Sequence, residues 1–263
     1  MSDFVAGSAM TDAKTAIAKL RENMRRTIKG KDDVIERTIV CLLARGHLLI
    51  EDLPGVGKTT LAYSLARSLD TVFSRVQFTS DLLPSDVTGV AIYDENTKEF
   101  IFKKGPVFAS IVLADEINRA TPKTQSALLE VMDRGKVTVD GESHPVDHPF
   151  MVFATQNPVD YEGTFPLPES QMDRFLMHVM ITYPPVEDEV KVIRLVRDEE
   201  KAAANPGAKG EEPPVIPQQA VFDARNEIGA IHVSDAIERY MADLVQATRT
   251  PGALSDELAR WID

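Results

Sequence analysis

Hydrophobic residues along the chain fall into two alternating patterns, a helical period and short continuous apolar runs. The apolar runs predict strands, and the periodic segments between them predict helices. The predicted strands lie at 47–50, 72–78, 110–114, 151–154 and 176–182, and the helices of this region lie at 11–27, 32–45, 58–69 and 122–133. Strands that alternate with helices in this way predict an α/β fold, with a doubly wound parallel sheet flanked by helices.

Two pairs of shorter segments interrupt this alternation. Apolar runs at 90–93 and 100–102 flank one turn, and runs at 136–139 and 143–146 form a predicted hairpin. The stretch 80–89, rich in Asp, Pro and Ser, is predicted to be a loop. We therefore expect two small insertions beside the main sheet.

The pattern changes after residue 184, where strands stop and every further predicted element is a helix. We expect an α/β domain over 1–184 and a helical domain over 185–263. The last predicted helix begins only a few residues before the end of the sequence and is still apolar at Trp261 and Ile262. A helix this short is marginal, so we expect the helical domain to be only partial.

Composition and charge narrow the functional classes. The chain has 263 residues, of which 43% are hydrophobic and 27% charged, a balance typical of a globular protein. Its formal net charge of -12 repels polyanions, so no nucleic-acid partner is expected. The single cysteine, Cys41, excludes an internal disulfide. No apolar run reaches the roughly 18 residues of a membrane span, and no secretory signal opens the chain, so a cytoplasmic protein is expected.

The strongest chemical signal is PGVGKTT, which lies between a predicted buried strand and a helix. Its glycines let backbone N–H groups surround phosphate oxygens, Lys58 reaches the β and γ phosphates, and the Thr59 hydroxyl can ligate Mg²⁺. Asp52 stands where the full motif has its first glycine. The predicted ATP-binding residues are Pro54, Gly55, Val56, Gly57, Lys58, Thr59 and Thr60.

A second signal is the acidic pair Asp115-Glu116 at the end of the apolar run SIVLA. Such a pair can form a solvated turn. When it follows a phosphate loop, it can instead supply one carboxylate to the Mg²⁺ shell and a second that polarises an attacking water. We predict that Asp115 is a metal ligand together with Thr59, and that Glu116 is catalytic.

With these motifs in place, the chain resembles the MoxR family of AAA+ ATPases. The phrases LLIEDLPGVGKTTLA, TSDLLPSDVTGV, GPVFASIVLADEINRATPKTQSALLEVM and ATQNPVDYEGTFPLPESQMDRF carry the resemblance. It implies an AAA+ P-loop domain with a helical lid, binding ATP and Mg²⁺ in a ring that is usually hexameric. It further implies a chaperone-like remodelling activity, partners with von Willebrand factor A domains, and a client that often holds a metal cofactor.

The resemblance also assigns roles to single residues. Lys58 matches the phosphate-loop lysine, Asn157 matches the polar sensor near the γ phosphate, and Arg174 matches the arginine finger that reaches a neighbouring subunit's ATP. Without the resemblance, Asn157 is a turn residue before a proline, and Arg174 is half of a surface pair with Asp173 or Glu169.

Weaker matches leave alternatives open. Arg119 fits either signalling at an interface or a helix-capping ion pair, and Val34 and Ile35 fit either an adenine contact or core packing. The family's second sensor, an arginine in a Ser-Pro-Arg phrase, lies beyond the end of the sequence, so weak hydrolysis is expected of this form. Two other functions stay open, a nucleic-acid motor and a nucleotide-gated binding module with little turnover.

Overall fold

A five-stranded parallel sheet forms the centre of the protein. The computed structural model describes residues 12–52, 57–157, 163–204 and 214–262. The sheet strands are β1 (Leu48–Asp52), β2 (Phe73–Gln77), β5 (Ile111–Asp115), β8 (Met151–Gln156) and β9 (Met177–Ile181). Their spatial order is β2-β5-β8-β1-β9, and every pairing is parallel. The predicted α/β class is confirmed, because the strands are parallel and the segments that connect them along the chain contain helices.

Both faces of the sheet are covered. All of β5 is buried, as expected of a central parallel strand made of branched apolar residues. The first eight helices in chain order are α1 (Asp12–Thr27), α2 (Asp32–Leu43), α3 (Lys58–Ser68), α4 (Pro84–Thr88), α5 (Pro122–Arg134), α6 (Glu169–Met172), α7 (Val186–Ala204) and α8 (Gln219–Gly229). One core cluster joins the sheet to α1, α2 and α3, and the other joins its opposite face to α4 and α5.

The two predicted insertions are antiparallel hairpins. The first consists of β3 (Gly89–Asp94) and β4 (Glu99–Lys104), and the second of β6 (Lys136–Val139) and β7 (Glu142–Pro145). Phe102 of the first hairpin stacks on His144 of the second, with ring centroids 4.2 Å apart. The two insertions therefore touch each other beside the main sheet.

The predicted loop over 80–89 is wrong in one respect, since it contains the short helix α4. Pro84 starts this helix, and the carboxylate of Asp86 accepts a hydrogen bond from the Leu83 N–H at 2.9 Å. Five residues are too few to show a helical period, so the sequence pattern carries no signal for them.

The chain divides into two compact units between Arg225 and Asn226. The first holds the sheet and the helices up to the middle of α8. The second contains α9 (Asp235–Arg249) and α10 (Asp256–Trp261), and no residue of either helix is buried. The domain boundary predicted after residue 184 stays a prediction. Within the described residues, no helix is long and apolar enough to cross a membrane.

Candidate active site

The N-terminus of α3 forms the first part of the site. Gly57 caps the helix with a φ of +93°, a left-handed conformation that glycine adopts without strain. Lys58, Thr59 and Thr60 follow in the first turn and are each partly buried. The first N–H groups of a helix have no intrahelical partner and attract anions. The predicted phosphate ligands Pro54, Gly55 and Val56 lie outside the described residues.

A cavity of about 430 Å³ opens directly beside this helix end. Gly57, Thr60 and Leu61 line it at the α3 side, and its other walls are mainly apolar. These walls are formed by the end of α1, the start of α2, the end of β9 and α7. Their lining residues include Ile28, Val34, Ile181, Tyr183, Pro184, Val192 and Ile193. The size and apolar lining suit a small organic ligand with one polar end.

Val34 and Ile35 differ in whether they line this cavity. Val34 lines it, whereas Ile35 is fully buried in the core beside the sheet. The adenine contact that the resemblance implies is therefore available to Val34, and core packing accounts for Ile35.

Asp115 ends β5 and is 7% exposed. Its Oδ1 atom accepts a hydrogen bond of 2.8 Å from the hydroxyl of Thr155, on the neighbouring strand β8. Its Oδ2 atom accepts hydrogen bonds from the guanidinium of Arg75, on the edge strand β2. A buried carboxylate needs such partners, since an unpaired buried charge is strongly disfavoured.

Glu116 follows in a left-handed conformation with a φ of +55°, which is uncommon for a residue other than glycine. Its N–H donates to the Thr155 hydroxyl at 2.8 Å. Its carboxylate pairs with Arg119 at 2.8 Å and accepts a hydrogen bond from the Gln77 amide at 3.2 Å. These contacts hold the backbone and the carboxylate of Glu116 in place, and local strain of this kind is concentrated at functional sites.

Asn157 directly follows β8, two residues after Thr155, and is partly buried. Because the carboxyl ends of parallel strands lie at the same edge of a sheet, Asn157, Asp115 and the carboxyl end of β1 are placed at one edge. This is the edge at which ligands of open α/β sheets bind.

Arg174 has a different partner from those considered in the sequence. Its guanidinium pairs with Asp133, near the C-terminal end of α5, at 2.8 Å, rather than with Asp173 or Glu169. Both side chains are more than a third exposed. The structure thus pairs the candidate finger with Asp133, whereas Asp115 and Glu116 of the same chain pair with Arg75 and Arg119. Arg119 forms the short-range ion pair that was one of its two interpretations.

Sequence reasoning missed three residues of this edge: Arg75, Gln77 and Thr155. Each bonds Asp115 or Glu116 across a strand pairing, some 40 residues away along the chain. The one available signal was polar residues near the ends of predicted buried strands. Nothing in the sequence states which strands are neighbours in the sheet.

Two buried groups that contact each other, His47 and Cys41, carry shifted pKa values. Burial lowers the pKa of His47 to about 4. The neutral ring accepts a hydrogen bond at Nδ1 from the Val152 N–H at 3.0 Å, and its Nε2 lies 3.4 Å from the Met132 carbonyl. Burial also raises the pKa of the Cys41 thiol to about 12, which keeps it protonated and unreactive.

The donors at the sheet edge suit Mg²⁺. Carboxylate and hydroxyl oxygens are its preferred protein ligands, and Asp115 and Thr59 supply one of each. Within the described parts of the chain, no group of three or more His, Cys, Asp or Glu residues could hold a metal by itself. Mg²⁺ commonly binds through one or two protein groups together with nucleotide phosphates, so this sparse set fits the ion.

Comparisons with known proteins agree with this geometry. Residues 47–177 match the model of the ATPase family associated with various cellular activities (AAA). The chain is 48% identical to the uncharacterized protein YeaC of Bacillus subtilis, over 90% of this chain and 72% of that protein. It is 42% identical to the chaperone MoxR1 of Mycobacterium tuberculosis, over 91% of this chain and 61% of MoxR1, so it spans less than two thirds of that relative.

A third relative and one solved structure complete the comparison. The chain is 31% identical to the protein MoxR of Paracoccus denitrificans, over 86% of this chain and 67% of that protein. A crystal structure of a Cytophaga hutchinsonii protein, assigned as an ATPase, superposes with a TM-score of 0.80 at 39% identity. The superposition covers 94% of this chain and 73% of the Cytophaga hutchinsonii chain. The sheet order, the site geometry and these relatives agree, and the chain belongs to the MoxR family of AAA+ ATPases.

Proposed function

We propose that this chain binds ATP with Mg²⁺ and hydrolyses it to ADP and phosphate, and that it uses the cycle to remodel client proteins. The observation that carries the proposal is the continuity of the apolar cavity with the N-terminus of α3. An adenine base suits the walls around Val34 and Ile181, while the phosphates meet the helix end.

Different residues of the chain bind the phosphates and the metal. Gly57, Lys58, Thr59 and Thr60 hold the phosphates, together with Pro54, Gly55 and Val56 of the same motif. Thr59 and Asp115 hold the metal, which neutralises charge on the phosphates when bound. The family match supports the nucleotide, and the oxygen donors at the sheet edge support Mg²⁺.

Glu116 orients and polarises the attacking water, and Asn157 positions it against the γ phosphate. The left-handed turn at Glu116, whose N–H donates to the Thr155 hydroxyl, supports this role, because strained backbone is concentrated at functional sites. In this structure the Glu116 carboxylate is occupied by Arg119 and Gln77. Both contacts are made to the same carboxylate oxygen, Oε2.

Arg174 completes the site of a neighbouring copy in a homo-oligomeric ring, in our proposal a hexamer. The pair with Asp133 lies at the surface, so the guanidinium can leave it at little cost. A cation that approaches the γ phosphate from another subunit couples hydrolysis to the geometry of the subunit interface.

Two features support a protein client over a nucleic acid. The relative MoxR1 is named a chaperone, and the net charge of -12 disfavours a polyanionic partner. We further propose a partner with a von Willebrand factor A domain and a client complex that holds a metal cofactor. Coexpression with candidate partners and recovery of a complex that forms only with ATP tests this part.

The test of the enzyme itself compares wild type with Glu116→Gln. We expect both to bind a fluorescent ATP analogue with similar affinity, and the variant to release phosphate about 10²- to 10⁴-fold more slowly, because general-base catalysis contributes on that order. Single-turnover phosphate release measures this. Arg239→Gln serves as the control, since Arg239 pairs with Asp243 at 3.0 Å on exposed α9.

Two outcomes would contradict parts of the proposal. If wild type binds ATP and no protein concentration yields phosphate release, the chain is a nucleotide-gated binding module. If DNA accelerates turnover and salt abolishes that acceleration, the client is a nucleic acid.

A further inference from the structure

Strand β2 presents three side chains to the α3 face of the sheet in alternation. Phe73 packs edge-on against Tyr63 of α3, with ring centroids 5.6 Å apart. Arg75 binds Asp115, and Gln77 binds Glu116. The edge strand therefore supplies one hydrogen-bonding side chain to each of the two acids, Asp115 and Glu116. The side chain that binds Asp115, the proposed metal ligand, carries a full positive charge.

The guanidinium of Arg75 engages one oxygen of Asp115 with two N–H groups. Nε lies 3.2 Å and Nη2 lies 2.5 Å from Oδ2. The other oxygen, Oδ1, is held by the hydroxyl of Thr155, which is fully buried. The two oxygens thus have partners of different kinds, one neutral and buried, the other cationic and at the surface.

Arg75 and Thr155 differ in burial, and therefore in how easily each can move away from Asp115. The Arg75 side chain is 50% exposed, whereas that of Asp115 is 10% exposed. Arg75 can swing into water and be solvated there, while Thr155 is enclosed by the sheet. Any cation that replaces a partner of Asp115 therefore displaces Arg75.

Charge balance explains why a replacement is needed. Asp115 and Glu116 are adjacent carboxylates, and each has one arginine partner, Arg75 and Arg119 respectively. A buried carboxylate without a cation is strongly disfavoured, so the pair stabilises the nucleotide-free site. Mg²⁺ supplies the same compensation when the nucleotide is bound, and two cations on one carboxylate oxygen repel each other.

We propose that Arg75 is the counter-cation of the nucleotide-free site and that Mg²⁺ with ATP displaces it from Asp115. Arg75 is a positioning residue on this account, because its two hydrogen bonds hold the Asp115 carboxylate in place until the metal arrives. The inference rests on the proposed function, since it takes Asp115 as the metal-binding acid.

The test is the dependence of ATP binding on the metal. A fluorescent ATP analogue is titrated into the wild-type chain and into Arg75→Gln, once with excess Mg²⁺ and once with excess EDTA. Without Arg75, Mg²⁺ has no competitor at Asp115, and metal-free ATP faces an uncompensated carboxylate. We expect the ratio of the metal-free to the Mg²⁺ dissociation constant to rise about tenfold, the usual effect of one charged hydrogen bond.

Two further variants sharpen this result. Arg75→Lys keeps the charge without the two-pronged donor, and we expect a ratio between those of wild type and Arg75→Gln. Arg239→Gln removes the same charge from a surface pair on α9, and we expect the wild-type ratio.

A second readout follows the displaced group directly. In ¹⁵N-labelled protein, the Arg75 Nε–H signal is assigned by its loss in Arg75→Gln. We expect it to exchange slowly with water in the nucleotide-free protein and rapidly once Mg²⁺ and a non-hydrolysable ATP analogue are added, because the hydrogen bond to Asp115 is then broken.

An unchanged ratio in Arg75→Gln, or an Nε–H that stays protected with Mg²⁺ and the non-hydrolysable ATP analogue, overturns the inference and leaves the proposed function intact. A loss of binding in both metal conditions also overturns it, since Arg75 would then be a phosphate ligand. If wild type binds no nucleotide in either condition, the proposed function fails as well, and the wild-type titration alone reveals that.

Discussion

The two charged regions of the candidate site are held in opposite ways. Asp115 is almost fully buried, and its oxygens are bound by Thr155 and Arg75. Arg174 lies at the surface in one ion pair with Asp133, and both side chains are more than a third exposed. Buried networks of this kind fix a geometry, whereas surface pairs contribute little and break easily.

This difference shows how such a site can be completed. The acids are fixed within one chain before any nucleotide binds, because the strand pairings place their partners. The guanidinium is held loosely, where a small movement releases it. We infer that the acids are preorganised and that the cation is delivered on assembly, which ties turnover to contact between copies.

The largest effect is expected from Arg174→Ala. An arginine finger in trans contributes about 10³ to 10⁵ in rate, so turnover should nearly vanish while ATP binding is retained. Steady-state phosphate release over a range of protein concentrations measures this. Arg134→Ala is the matched control, because Arg134 forms a similar exposed pair with Glu130 at 3.0 Å.

Mixing variants separates a role in trans from one within the chain. Lys58→Ala lacks a phosphate-loop lysine but keeps Arg174, and Arg174→Ala is its complement. If Arg174 acts on a neighbour, an equal mixture of the two inactive variants recovers part of the activity. A mixture as inactive as its components would place the role of Arg174 within its own chain and break the contrast drawn above.

A second prediction concerns His47, which links the two regions. Its ring contacts the Met132 carbonyl beside Asp133 and the Val152 N–H of the strand that carries Thr155. Its pKa is about 4 in the folded protein, against 6.5 when unfolded. Neutral His47 therefore stabilises the folded protein. This contribution to the free energy of unfolding is complete above pH 6.5 and is lost as the pH falls towards 4, because only the unfolded state takes up the proton between these two values.

The expected loss of unfolding free energy is about 3 kcal/mol between pH 7 and pH 4. Urea unfolding of wild type and His47→Gln across this range measures it. Other titrating groups are common to both proteins, so the difference between the two curves isolates His47. Parallel curves for wild type and variant would show that His47 is not the group responsible.

The sequence predicted those elements of the fold that depend on a hydrophobic pattern or a motif within one short segment. The apolar run SIVLA predicted a buried strand that ends on the acidic pair, and the structure has β5 ending at Asp115. The glycine turn before Lys58 predicted the start of α3, and that helix begins at Lys58. Each of these features is decided by residues within one short segment.

The partners of the acids could not be predicted in the same way. Arg75, Gln77 and Thr155 reach them only because β2, β5 and β8 lie side by side, and that order is set by the packing of the whole sheet. Arg174 shows the same limit, since its partner Asp133 lies on a different element rather than next to it in sequence. The roles predicted for Lys58, Asn157 and Arg174 stay predictions.

The smallest effect is expected from Thr155→Val, which removes the hydroxyl that joins the two acids. That hydroxyl donates to Asp115 and accepts from the Glu116 N–H, both at 2.8 Å. Valine has the same shape, so the loss is of hydrogen bonds rather than volume. Leaving buried partners unsatisfied costs about 1 to 3 kcal/mol, which urea unfolding measures at pH 7.

Two other substitutions decide whether this cost belongs to the acid network. Thr155→Ser keeps the hydroxyl and should stay close to wild type in both stability and turnover. Thr38 is equally buried, but its hydroxyl donates to the Val34 carbonyl of its own helix at 2.8 Å. Because that carbonyl also lies in reach of a helical N–H, Thr38→Val should lose less stability than Thr155→Val and keep its turnover. Equal losses in the two valine variants would mean that the hydroxyl of Thr155 is an ordinary buried group, and the acids would then owe their fixed geometry to the strands alone.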